Sequence, residues 1–330
     1  MENTIEKKQK APSKINAQKL SSLAPIIGLV LVLIVFEILT KGVLLTSNNI
    51  MNIIKDGLVT SLAAIGAVFV FGAGYFDMSM GGSVCFATVL GAMAGIATGS
   101  MTVIILVVFG ISLAFGFVKG LFASYVNVPF FIFTIVLGSV MSSLVITILG
   151  TKSIIKLSDA VKELPGLDST QYPIVCAICL AVFFLICLFL FNYNSLGIKV
   201  KNLGGNKIAA RQSGISSTKT TIAVFMLAAF GLALASILTM LRTRTVGTGT
   251  AGDLGNNVMV ALVLGGMPLS GGPKSKISAG LIGAATITVL NSGLSIMGLN
   301  TGQIQIVRGI VFIVVVFISS FSYRGKLLPR

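Results

Sequence analysis

The sequence predicts an all-α polytopic membrane protein with about ten transmembrane helices. Three observations predict it. From Leu23 to Phe321 the chain is a succession of apolar runs broken by short Gly-, Pro-, Asn- or Lys-rich pieces, and a spanning helix needs roughly 20 apolar residues rising about 1.5 Å each. Hydrophobic residues make up 55% of the chain and charged ones 10%, far from the balance of a soluble domain. The cationic residues also fall unequally on the two sides of that succession, as the positive-inside rule requires.

The elements follow in order. Residues 1–22 are polar and Lys-rich and are expected to form a disordered cytoplasmic tail. The apolar run Leu23–Leu39 after them looks like a secretory h-region, but no small-x-small cleavage site follows. It reads as an uncleaved first span, about 23–41. Spans two and three, about 49–74 and 83–99, flank a Gly-rich turn that holds Asp77. Spans four and five, about 102–124 and 130–150, flank a piece with Asn127 and Pro129. The sixth, about 172–192, precedes the longest cytoplasmic connection, 193–219. The seventh covers about 220–241. The eighth, about 256–268, is too short to cross as a plain helix and runs into Gly265-Gly266-Met267-Pro268. Broken helices are tolerated where the freed backbone lines a cavity or is buried in protein. The ninth and tenth, about 280–297 and 303–321, complete a transmembrane domain of residues 23–322, and 323–330 form a second cytoplasmic tail.

Charge tests this count. With the first tail inside, sixteen of the 24 Lys and Arg residues fall in cytoplasmic segments, Lys119 near the inner end of its span among them. Eight fall outside: Lys41, Lys55, Lys152, Lys156, Lys162, Arg242, Arg244 and Arg308. The outer set is accompanied by Asp56, Asp159, Glu163, Asp168 and Asp253. The net charge of +15 therefore reflects topology and calls for no nucleic-acid partner.

Composition narrows the chemistry. The chain has no His, which removes His-based acid–base work, the Ser-His-Asp and Cys-His nucleophiles and most zinc sites. Cys176-x-x-Cys179 has redox or metal-ligand spacing without a second pair, and all four cysteines sit in apolar runs, so they read as helix packing. Gly247-Thr-Gly249-Thr-Ala-Gly252 spells GxGxxG, but no strand and no βαβ unit is expected before it. Gly266–Ser275 approaches a phosphate loop, but Pro273 breaks the order and removes a backbone donor. No catalytic residue, metal or cofactor is expected.

Asp77 is the most telling acid. A carboxylate at mid-depth costs about 2.5–3.5 kcal/mol on insertion scales. It either marks a pathway, pairs with something, or caps the helix that starts near Ser79. Glu37 and Arg308 lie near outer span ends and snorkel. Elsewhere the spans carry Ser, Thr and Asn, among them Thr60, Ser139, Ser143, Thr288 and Asn291. These suit a path for a neutral, hydroxyl-rich solute and equally suit helix packing. A weak internal repeat aligns Ser79 with Ser270, Gly74 with Gly265 and Gly81 with Gly272, and paired Gly-interrupted segments in two halves point toward a pathway.

Within 193–219, the stretch Gly204–Ile215 reads as one short helix. Asn206 suits its N-cap, Ala209, Ala210, Arg211 and Gln212 are good helix formers, and Gly214 suits the left-handed position past the end, with Ile215 beyond. Alone it would be marginal in water, so it is expected to pack on something, such as a partner.

Together these residues resemble the permease subunit of a bacterial ABC importer of the ribose/galactose/xylose type, in the branched-chain permease superfamily. Gly205–Ile215 resembles that family's cytoplasmic coupling segment, and Phe76–Gly81 its I-D-L-S-V-G. Val128–Thr134 resembles its V-P-x-F-I-x-T-L, Leu264–Gly272 its G-G-T-S-L-x-G-G, and Asn48–Ile53 an early N-x-x-N-I element. The ordered set spans about residues 46 to 320. Three departures stand out: Asp253-Leu254 where the family has G-x-G-x-E-L, Gly74-Tyr75-Phe76 where it has G-G-I, and Gly272-Pro273-Lys274-Ser275-Lys276 in a Gly-rich turn.

The resemblance implies an ABC importer permease fold with two pseudo-repeated halves in a bacterial cell membrane, N-terminus inside. It implies a second copy of the chain or a paralogous permease, an ATP-binding ABC ATPase beneath and an extracytoplasmic solute-binding protein outside. ATP chemistry then belongs to the partner, and the chain is not itself an enzyme. It implies a coupling role for Gly205, Asn206, Ala209, Ala210, Arg211 and Gly214, and a translocation path at Asp77, Ser79, Asn127, Pro129, Thr134 and Ser270. The expected solute is a ribose-like monosaccharide. A nucleoside or furanosyl signal molecule is the nearest alternative. An ion- or proton-coupled carrier relaying through Asp77, and a membrane scaffold or sensor without transport, are others.

Overall fold

A computed structural model describes residues 14–126, 128–157, 161 and 171–324. Asn127, Lys162 and both chain ends lie outside the described residues. Twelve helices and two three-residue strands follow one another among those described: α1 Lys14–Leu39, α2 Ser47–Gly72, α3 Met80–Thr98, α4 Met101–Tyr125, α5 Phe130–Leu149, β1 Ile154–Lys156, α6 Gln171–Asn192, α7 Ser195–Gly205, α8 Lys207–Gln212, α9 Ser217–Thr243, β2 Thr245–Gly247, α10 Leu254–Leu264, α11 Ser278–Ile296 and α12 Thr301–Arg324. The protein is an all-α polytopic membrane bundle. Each predicted apolar segment is a helix. Seven of them, α2 to α6, α9 and α11, are long and apolar enough to cross a membrane. The apolar parts of α1, α10 and α12 are shorter, Leu23–Leu39, Leu254–Leu264 and Thr301–Phe317. Helix α1 begins at Lys14, inside the stretch expected to be tail.

Helices α2 and α9 form the centre. Every residue of α2 from Ser61 to Gly72 is buried, packed with α6, α9 and α10 around Phe69, Phe183, Phe191 and Phe225. Small residues let the backbones approach: a Cβ on Gly66 would lie 3.0 Å from the Ala228 Cα. That is how helices associate where lipid removes the hydrophobic drive between them. A second cluster joins α3, α4, α5 and α9 under the strand pair, and a third joins α1, α10 and α11. The outer helices keep apolar faces exposed, such as Ile38 on α1, Leu106 on α4, Leu185 on α6 and Ile313 on α12. Those faces suit lipid or another protein.

The two ends differ. At one, β1 pairs antiparallel with β2, Ile155 opposite Val246, and the Cys85 thiol donates to the Gly247 carbonyl at 3.3 Å. This corrects the expectation that no strand precedes the GxGxxG run. The strand is three residues long and antiparallel, so no βαβ unit results and the run is a turn. At the other end lie α7 and α8. Helix α7 was not anticipated; Asn194 caps it by accepting from the Leu196 N–H at 3.0 Å, and Gly197, Val200 and Leu203 bury its inner face.

Candidate functional site

The turn between α2 and α3 is built around Asp77. Its Oδ1 accepts from the Ser79 N–H at 2.9 Å and the Ser79 hydroxyl at 2.6 Å. Its Oδ2 accepts from Lys119 Nζ, on α4, at 2.6 Å. Lys119 also donates to Ser79 Oγ at 3.3 Å. All three are buried, Asp77 at 5%, Ser79 at 0% and Lys119 at 2% exposure. From α5, Thr134 Oγ1 accepts from the Met78 N–H at 3.1 Å and donates within the same turn or to Phe131. The Met78 and Ser79 amides and the Phe76 carbonyl of this non-helical backbone are thus met by side chains, as irregular chain inside a membrane protein requires. Of the three readings open for Asp77, pairing and ordering a helix start hold together. It orders the start of α3, and it forms an ion pair.

Lys119, counted from the sequence near the inner end of its span, is buried and paired with Asp77. Sequence reasoning missed the pair because the partners stand 42 residues apart. The signal was two lone opposite charges, each at the same end of an apolar span.

The candidate path residues therefore separate. Asp77, Ser79 and Thr134 come together in one closed knot. Pro129 is exposed at the N-cap of α5, and Ser270 is exposed in the turn between α10 and α11. Asn127 lies outside the described residues.

The repeated turns meet. Helix α2 closes with Gly74 N–H to Phe71 O and Tyr75 N–H to Val70 O. Helix α10 closes the same way, with Gly266 N–H to Val263 O and Met267 N–H to Leu262 O. Both are Schellman ends with a glycine at φ near +85°. Gly74 is therefore matched by Gly266, and the Gly74–Gly265 register read from sequence is off by one. The turns also touch: Gly272 N–H donates to Gly72 O at 2.9 Å. Gly204 of α7 fits between them, where any Cβ would overlap the Gly72 carbonyl and the Gly272 amide nitrogen.

Helix α8 follows directly and matches the sequence reading at both ends. Asn206 Oδ1 accepts from the Ile208 and Ala209 N–H groups at 3.0 Å each. Gly214, at φ +80°, and Ile215 donate back to Arg211 O and Ala210 O. The faces are the surprise. Ala210 is 4% exposed and turns into its own chain, whereas Ile208 is 71% exposed, with Ala209 and Arg211 also outward. Gly205 at the end of α7 would meet only the Pro273 ring. Lys207 donates to the Tyr75 hydroxyl at 3.2 Å and lies 5.4 Å above its ring. Tyr75 in turn packs on Phe130 and Phe225 and reaches Thr221. This link from α8 to the Asp77 turn was not visible in the sequence.

At the strand end a polar cavity of about 570 Å³ opens among α2, α10, α11 and α12. Asn49, Asn52, Asp56, Arg242, Asp253, Asn257, Asn291 and Arg308 line it, with Thr60, Thr288, Thr301, Ser292 and Ser295. Asp56 is bound to Arg242. Arg308, assigned to snorkelling from sequence, is instead 5% exposed. Thr288 and Asn291, equivocal in the sequence, face the cavity.

The molecule is thus a helical membrane bundle with a polar cavity at one end and a capped, outward-facing helix at the other. Residues 49–316 match the family described as the permease component of the branched-chain amino acid transport system, and the chain belongs to that family. It is 27% identical over 302 residues to the ribose import permease protein RbsC of Bacillus subtilis, covering 91% of this chain and 92% of that one. It is 26% identical to the xylose transport system permease protein XylH of Haemophilus influenzae, over 94% of this chain and 99% of the other. It is 28% identical to a probable ABC transporter permease protein of Escherichia coli, YphD, over 88% of each.

Proposed function

We propose that the chain is the permease of an ATP-driven importer of a ribose-like monosaccharide. Two copies, or this chain and a paralogue, would form the translocation path. An ABC ATPase docks on α8 and a solute-binding protein docks at the strand end. The α7–α8 end is then cytoplasmic; it carries Lys199, Lys201, Lys207, Arg211, Lys219, Lys274 and Lys276, as the positive-inside rule requires. ATP binding and hydrolysis shift an outward-to-inward equilibrium by differential binding.

The observation that carries this reading is the joining of α8 to both repeat turns. An exposed Ile208 on a doubly capped helix offers a docking point. Gly204, at the end of α7, touches the closing turn of α2 and the α10–α11 turn without an intervening side chain. Force on α8 thus reaches both halves of the bundle. The cavity supports a sugar over a nucleoside, because its walls are mostly carboxamides, hydroxyls and two ion pairs, with Ile296 and Ile304 the apolar exceptions and no aromatic ring among the described residues that line it. The pairing of Lys119 with Asp77 speaks against a proton relay through Asp77, since both oxygens of that carboxylate are already engaged.

The test is reconstitution with the cognate ATPase and binding protein in proteoliposomes. Uptake of labelled D-ribose should require ATP and survive a protonophore. Uptake that ignores ATP and collapses with the proton gradient would sink the reading.

A further inference from the structure

The geometry points to a solute subsite inside each single copy of the permease, centred on Arg308 and shaped for an uncharged polyol. This rests on the importer reading but is not contained in it, since a path between two copies needs no cavity within one.

Arg308 sits seven residues into α12, about 10 Å below its start at 1.5 Å per residue. Its guanidinium is almost wholly buried, yet Nε and Nη1 donate to nothing among the described residues. Nη2 donates to Asn291 Oδ1 at 3.2 Å. The nearest acid, Asp253, stands 4.0 Å from Nη1, beyond hydrogen-bond reach. Asp253 Oδ1 instead accepts from Gln305 at 2.7 Å. A buried cation with idle donors is costly unless something accepts from it. At 5% exposure, Arg308 is out of reach of a second copy of the chain. The cavity it floors is within the size range of small-molecule sites, roughly 300–1,000 Å³, with Asn52, Asp56, Ser295 and Thr301 exposed at the rim.

The class of ligand follows from charge and spacing. Asp56 and Asp253 balance Arg242 and Arg308, so the cavity is neutral overall and gains nothing from an ionic solute. A hydroxyl placed between Arg308 and Asp253 accepts from the first and donates to the second. Neighbouring hydroxyls meet Asn257, Asn291 and Ser292. An alcohol supplies both roles on one atom; a carboxylate supplies only acceptors.

Saturation-transfer difference NMR on the full-length permease in lipid nanodiscs tests this with D-ribose, D-xylose, D-galactose, D-ribonate and L-leucine as probes. At least one neutral sugar should receive saturation. In Arg308→Met the apparent affinity should fall about tenfold or more, the loss for deleting charge-assisted hydrogen bonds, and Arg308→Lys should recover part of it. Ser292→Leu adds bulk to the cavity lining while leaving the Arg308 side chain in place and should abolish the signal, which keeps the test open if Arg308→Met misfolds. Unchanged signals in both variants overturn the subsite, as does stronger transfer to ribonate or leucine than to every neutral sugar. If no sugar binds while ATP-dependent uptake persists in proteoliposomes, the subsite falls and the importer reading stands. If ATP-dependent uptake is absent as well, that reading falls with it.

Discussion

Lys119 Nζ donates to Asp77 Oδ2 at 2.6 Å, both side chains almost fully buried, so α4 is pinned to the turn that starts α3. The pair is the kind whose value shows only when it is broken. Removing one partner strands the other as an uncompensated charge, whereas removing both is nearly neutral.

Asp77→Asn and Lys119→Met should each destabilise the permease by about 3–5 kcal/mol, and the double variant should recover most of that loss. Thermal unfolding in detergent, followed by gel filtration, reads the cycle. Additive losses would show that the two residues act independently.

The faces of α8 give opposite expectations for neighbouring residues. Ala210→Glu should prevent folding, because the site is inside the chain and the charge finds no partner. Ile208→Asp should fold normally, since the residue is mostly exposed, but lose copurifying ATPase. Normal ATPase association of Ile208→Asp would remove α8 as the docking point.

Both ends of α8 were legible in the sequence because caps are local: one Asn and one Gly, with good helix formers between them. The burial of Ala210 was not, because a six-residue helix has too little length for its periodicity to choose a face. The spans were legible for the opposite reason, since composition over some 20 residues needs no partner. The cavity was hidden because Asn49, Arg242, Asp253 and Arg308 come from four different elements.

Asn206→Ala should cost about 1 kcal/mol of local stability. Gly214→Val forces a β-branched residue to φ +80° and should cost more. Hydrogen exchange of residues 207–212 should quicken in both variants while the spans stay protected. Equal exchange in wild type and Gly214→Val would mean that the glycine is not holding the helix end.

Orientation is open to chemical labelling. In a cysteine-free background, Lys152→Cys beside β1 should react with an impermeant thiol reagent on intact cells, and Arg211→Cys on α8 should react only after lysis. The reverse pattern would place α8 outside.

Gly204→Ala should lower the melting temperature sharply, since the added methyl meets the Gly72 carbonyl and the Gly272 nitrogen. Gly110→Ala, where nothing lies within 4 Å, should be neutral or gain up to about 1 kcal/mol of helix propensity. Comparable melting of the two variants would deny the tight fit.

That fit constrains how the machine is allowed to move. Side chains between moving parts act as cushions: they switch rotamer and absorb a displacement. Where backbone meets backbone, as Gly204 meets Gly72 and Gly272, there is no cushion, and α7 has no freedom to slide or sink against α2. A displacement of α7 is therefore handed from backbone to backbone, with no side chain between to take up slack.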